Sequence, residues 1–221
     1  MRDVPERWRR FAARLVPEPP REPRGSLIHQ EGELMLGPGR WASFHAEQWF
    51  EATRCAFCWH ARVKMMPLVT AVVEDAYEDG HGRLEAKLFG AIPLMKAERG
   101  VELDRGELQR YLGELPWNPM AILHNPNLSF ASGPGDAERV WAHGDPETHL
   151  DCRFDASGDL VEVTTSTRMR TGVGVQPWSA RFLAYGERDG VRVPVEAEVS
   201  WDPPSGREVY WRGRVLAFEW R

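Results

Sequence analysis

A chain of 221 residues with 42% hydrophobic and 28% charged side chains is long enough to bury a substantial core. Its net charge of −5 and pI near 5.8 give nucleic acid no electrostatic foothold, and no basic stretch leads into an apolar segment at the N-terminus, so a cytoplasmic protein is expected. Ten tryptophans are the outlier, and they suit a wide core, an aromatic-lined cavity, or both.

Residues 3–16 read as an amphipathic helix, with Asp3 as cap and Pro5 at an early position where its missing donor costs nothing. Trp8, Phe11, Ala12 and Leu15 share one face; Arg7, Arg9, Arg10 and Arg14 take the other. Docking on its own sheet is the reading adopted, and contact with an anionic membrane is the alternative. A proline-rich connector, 17–23, leads into the first strand.

From Gly25 to Ile92 the period becomes two, with strands at 26–36, 41–51, 57–65, 69–77 and 83–90. In the third, Phe57, Trp59, Ala61, Val63 and Met65 point one way, and Cys58, His60, Arg62 and Lys64 the other. Gly37-Pro-Gly39, Pro67 and Asp79-Gly80-His81-Gly82 punctuate the run, which implies an antiparallel meander.

The strongest helix signal is 104–115. Asp104 and Glu107 have capping-box spacing, Leu108, Tyr111, Leu112 and Leu115 form an apolar stripe, and Pro116 ends it. Trp117-Asn118-Pro119 redirects the chain into a short turn through Leu123, so 104–123 forms a helical insertion. Strands resume near 127–130, 137–143, 148–154, 160–170, 178–185, 191–201 and 207–220. The expected fold is therefore α+β and mostly antiparallel β. It is one domain over 1–221, built on a large curved sheet with helices packed on its concave apolar face.

Nucleophile elbows, zinc-protease motifs, phosphate loops and calcium loops are missing from the sequence. Cys55, Cys58 and Cys152 are odd in number, and Cys55-Ala-Phe-Cys58 sits in a strand-like run without a second pair, so it reads as structural. No metal and no cofactor are expected. His45 and Glu47 fall on the wet side of a strand and read as a solvated pair. Asp75 is different: it shares parity with Val69, Ala71 and Val73, and a carboxylate on an apolar face needs a partner. Arg110 and Glu114, an i, i+4 pair off the leucine stripe, are the groups that could supply one, with Arg110 bridging both carboxylates.

The pattern Arg110-Tyr-Leu-x-Glu114-x-x-Trp117-x-Pro119 resembles the signature of a bacterial family known only as a domain of unknown function. Further agreement lies in Gln30-x-Gly32, Phe57-x-Trp59-x-Ala-Arg62, Asp75-x-Tyr77-x-x-Gly80-x-Gly82, Pro177-Trp178, Gly190-Val-Arg-Val-Pro194, Trp201 and Tyr210-Trp211-Arg212-Gly213. Ser129-Phe130 stands where a tryptophan would be expected. The family also looks like the lipoprotein-carrier type of fold, which implies a half-barrel closed by helices around an apolar cavity but brings no activity with it.

Three functions stay open on the sequence. The first is a protein binding an apolar or amphipathic small molecule through Trp59, Tyr77, Arg110, Glu114, Trp117, Asn118, Trp178 and Trp211. The second is an enzyme on a hydrophobic substrate with Asp75 or Glu114 as general acid or base. The third is a structural or interaction domain whose aromatics simply fill the core.

Overall fold

A computed structural model describes residues 4–221, so the Asp3 cap lies outside the described residues. Helix α1 (Glu6–Leu15) begins after Pro5 and buries Trp8, Phe11, Ala12 and Leu15, the whole of its apolar stripe. Trp8 packs on Phe130 and Phe154 at 4.9 and 5.3 Å between ring centroids, so Phe130 does aromatic work at the position where the family resemblance called for tryptophan. On the polar face Arg14 reaches Asp159 at 3.1 Å. The apolar face is thus covered by the protein itself and is not free to lie on a bilayer.

Two antiparallel meanders follow. The first runs through β1 (Ser26–Gly37), β2 (Arg40–Phe50), β3 (Phe57–Met66), β4 (Val69–Glu78), β5 (His81–Leu88) and β6 (Ile92–Lys96). The second runs through β7 (Leu128–Ser132), β8 (Glu138–Ala142), β9 (Asp145–Phe154), β10 (Leu160–Arg170), β11 (Gly174–Arg188), β12 (Val191–Trp201) and β13 (Glu208–Trp220). The pairing of β1 with β13 joins them into one 13-stranded sheet, ordered β6-β5-β4-β3-β2-β1-β13-β12-β11-β10-β9-β8-β7. So wide an antiparallel sheet twists and curls into a half-barrel. Strand parity follows the sequence pattern: in β3, Phe57, Trp59, Ala61 and Val63 are buried while His60, Arg62 and Lys64 are exposed.

This strand order places β6 and β7 at opposite edges, so the chain between them must cross from one edge to the other. It does so as α2 (Val101–Gly113), a 3₁₀ turn (Leu115–Trp117) and α3 (Pro119–His124). Helix α2 accordingly packs on β4 and β5 of the first meander and on β8, β9 and β10 of the second. A helix held between two walls is buried almost all round. Glu107, Leu108, Gln109, Tyr111, Leu112 and Gly113 are all inside. Gly82 of β5 permits this close approach: a Cβ there would meet Leu103 O at 2.9 Å and Glu107 Cγ at 3.0 Å.

Several boundaries differ from the sequence reading, and the clearest cases are α2, β6 and β11. Helix α2 starts at Val101 rather than at an Asp104 cap, because the Asp104 carboxylate accepts the Gly82 N–H at 2.7 Å instead of closing its own helix end. Strand β6 is additional; its residues are exposed and it contains Pro93, which an edge strand tolerates. Strand β11 runs from Gly174 to Arg188, longer at both ends than 178–185. Among the described residues no helix is long and apolar enough to cross a membrane.

Candidate functional site

Between the two meanders lies a cavity of about 440 Å³. Leu34, Leu36, Met65, Val73, Leu84, Ala180, Phe182 and Val199 make its apolar walls, and Trp59, Trp117, Trp178 and Trp211 supply wide aromatic faces. The indoles are fixed by their N–H groups. Trp59 donates to Gln30 Oε1 at 3.0 Å, Trp117 to the Pro194 carbonyl at 2.8 Å and Trp178 to the Tyr210 hydroxyl at 2.9 Å. Trp211 stacks on Phe44 at 5.8 Å. Each ring is thereby held by a bond or a stack, so the surface it offers is preorganised.

One end of the cavity is charged. Arg110 of α2 lies between Asp75 of β4 and Glu114 at the end of α2. Its Nη1 donates to Asp75 and its Nε donates to Glu114 at 3.0 Å. The guanidinium also stacks over Phe57 and Trp59, at 4.9 and 5.3 Å from the ring centres. The second Glu114 oxygen accepts from Gln48 Nε2 at 2.6 Å. Burial works against the Arg110 charge, but Glu114, Asp75 and Glu107 outweigh it and hold the group above its ordinary range. Burial raises the Glu114 carboxyl, with Arg110 and Gln48 partly offsetting it.

Glu107, one turn before Arg110, completes the cluster. Burial first, and then the neighbouring Asp75 carboxyl group, push its carboxyl well above the usual range. Asp75 Oδ1 and Glu107 Oε2 are both buried without a hydrogen-bond partner. Burial beside a second carboxyl group thus favours the protonated form of Glu107 in the folded protein. Arg168 of β10 lines the cavity as well, its guanidinium 4.8 Å from the centre of the Trp178 ring and donating to the Gly106 carbonyl.

Of the residues singled out from sequence, Asp75, Arg110, Glu114, Trp59, Trp117, Trp178 and Trp211 come together around this cavity. Tyr77 and Asn118 do not. Tyr77 is buried two residues beyond Asp75, against the α2 side of the core. The Asn118 amide turns away to donate to the Glu51 carbonyl at 2.7 Å, in the network that pins the β2–β3 loop to the helices. Glu107, Gln48 and Arg168 belong to the site and were not anticipated. The signal for Glu107 was present, since 107, 110 and 114 share a helical face, but the capping-box reading had claimed it.

The remaining candidates lie elsewhere. His45 and Glu47 are exposed, facing Glu31 at 3.7 Å and His29 at 3.8 Å rather than each other. No disulfide joins the cysteines among the described residues, and burial pushes Cys58 up to about 11, far from a reactive thiolate. Among the described residues no group of three or more His, Cys, Asp or Glu is arranged to hold a metal ion.

The architecture is shared with solved structures of very different sequence. A LolA superfamily protein from Nitrosomonas europaea superposes with a TM-score of 0.54 at 7% identity, over 100% of this chain and 94% of the other. A DUF1329 family protein from Desulfovibrio piger gives 0.50 at 8% identity, over 99% and 94%. Such identities make this a likeness of fold alone. No curated protein matches by sequence. The model of a family of unknown function, DUF6920, matches residues 2–220, and the chain therefore belongs to that family.

Proposed function

We propose that this protein binds an apolar or amphipathic small molecule in the Trp-lined cavity, with α2 and the short helices after it closing the concave side of the sheet. The observation that carries the reading is the division of the cavity into apolar walls with fixed indoles and one charged end whose groups are already mutually neutralised. Apolar walls with few polar groups suit recognition by burial, and about 300–1,000 Å³ is the usual range for such sites. A chain-like or ring-like apolar body would lie along Trp59, Trp178 and Trp211, with any polar group facing Arg110 and Arg168.

Native mass spectrometry of protein purified from its own host is expected to show a retained small molecule. Val73→Trp, which fills the cavity from the β4 wall, should abolish that adduct while the protein still folds. A wild-type spectrum without any adduct, together with no quenching of tryptophan fluorescence by a soluble fatty-acid probe, would leave the cavity a packing defect.

The enzyme reading has one observation in its favour, the raised carboxyl of Glu114 at the cavity wall. Against it, one oxygen of Glu114 is engaged by Arg110 and the other by Gln48. On the binding reading Glu114→Gln retains probe uptake; on the catalytic one it would retain a bound substrate that the wild type consumes.

A further inference from the structure

The end of the sheet where the cavity lies is apolar in places where exposed turns are ordinarily polar. Antiparallel alternation brings the β3–β4, β5–β6 and β10–β11 turns out at one end, and the first two are tied together by Phe89 N–H donating to Thr70 O at 2.8 Å. The cavity is lined by Val63, Met65, Ala71 and Val73, the halves of β3 and β4 nearest this end, with Asp75 and Trp59 deeper.

Among the described residues five non-glycine residues have positive φ, and three of them, Asp79, His143 and Asp189, are of the types that tolerate it. The other two are Leu68 at φ 64° and Phe89 at φ 51°, both at this end. Leu68 is 96% exposed and Phe89 59% exposed. Backbone preference and solvent both argue against a large apolar side chain at such a position. Edge strand β6 continues the surface with exposed Ile92, Leu94 and Met95, the last two reaching the cavity rim, and Val173 stands exposed on the opposite meander.

Charge distinguishes what this surface meets. The chain has three lysines, Lys64, Lys87 and Lys96, and all three are exposed on β3, β5 and β6, the strands that lead into or out of the apolar tips. Glu85 lies between Lys87 and Lys96, at 3.6 and 2.8 Å, which leaves the group net positive on a chain of charge −5. Apolar tips surrounded by long flexible cations match the chemistry of an anionic lipid surface, where the tips enter the acyl boundary and the lysines reach the headgroups.

We infer that the Leu68/Phe89 end docks on an anionic bilayer, so that the cavity opens toward the lipid from which its ligand is exchanged. This extends the binding reading, and its test is separate from that of the cavity. Full-length protein is floated with vesicles of phosphatidylcholine alone or mixed with an equal part of phosphatidylglycerol. It should float with the anionic vesicles and far less with the neutral ones. Leu68→Asn combined with Phe89→Asn, which puts a residue suited to positive φ at both tips, should keep or raise the melting temperature while weakening flotation by roughly tenfold or more. Lys64→Gln with Lys96→Gln should remove the preference for phosphatidylglycerol, by about fivefold per lysine. Quenching of tryptophan by a soluble fatty-acid probe should be unchanged in the Asn variant, so failure of the cavity reading and failure of docking separate cleanly. Docking is overturned if the wild type floats with neither vesicle, or if the Asn variant floats like the wild type. It is overturned equally if sedimentation shows a dimer that the Asn substitutions dissolve, since the surface would then belong to a second copy.

Discussion

Arg110 holds its charge where desolvation opposes it, because two carboxylates and two aromatic faces converge on one guanidinium. Removing it would leave Asp75 and Glu114 buried without their cation, so Arg110→Met should lower unfolding free energy by roughly 3–5 kcal/mol, against about 0–1 for an exposed pair. A urea titration reads the difference directly, and a loss below about 1 kcal/mol would mean that the cluster is not holding the fold together. Glu107 gives a pH signature of definite sign. Its folded value is raised above the ordinary 4.5, so the folded state keeps a proton that the unfolded chain releases. Its contribution is therefore complete below about pH 4.5 and is lost as pH rises toward the folded value. Glu107→Gln is close to the protonated side chain in shape and removes the titration, so its stability relative to wild type should climb with pH above about 4.5. Parallel stability curves for the two proteins between pH 4 and 8 would show that Glu107 does not keep a proton in the folded state.

Helix α1 is a separable element whose stabilisation comes from three large side chains, Trp8, Phe11 and Leu15, all buried against the body. At about 1.5–3 kcal/mol for each such side chain, removing residues 1–16 should destabilise the protein by roughly 5 kcal/mol and expose Phe130 and Phe154 to solvent. An unchanged urea midpoint would show that the helix is not part of the cooperative unit. Its apolar face could be read from sequence because helical period and side-chain type agree there, and β3 was legible for the same reason, its His60, Arg62 and Lys64 row facing water. What sequence could not show was where tertiary partners override a local pattern. Asp104 and Glu107 have capping-box spacing, yet the Asp104 carboxyl goes to Gly82 and the Glu107 carboxyl is buried near Asp75. Strand β6 has no buried face to generate a period. The Asp75–Arg110–Glu114 contact was legible because a carboxylate on an apolar strand row demands a cation, whereas Arg168 reaches the cavity from a strand whose pattern carried no such conflict. Asn118 shows the reverse, a polar residue adjacent to Trp117 whose bond to Glu51 draws it out of the cavity.

At the scale of the molecule, the two meanders share one seam, β1 with β13, and one strut, α2. A half-barrel with a single seam could open or close along it, and the strut is what fixes the distance between its walls. Leu112 is fully buried in α2, the helix that packs on β4 and β5 on one side and on β9 and β10 on the other. Leu112→Ala should cost about 2–5 kcal/mol through the cavity it leaves. Its signature is where that loss appears. If α2 merely decorates one meander, amide exchange will speed up in that meander alone. If it braces both, hydrogen exchange followed by mass spectrometry will show protection falling together in 69–88 and in 145–170, while the β1–β13 seam keeps the slowest amides. The second outcome is expected, because the chain must cross between opposite edges of the sheet here and neither wall has another helix of this length to lean on among the described residues. It would also tie cavity width to the strut, so the same variant should bind the soluble fatty-acid probe more weakly although Leu112 does not line the cavity.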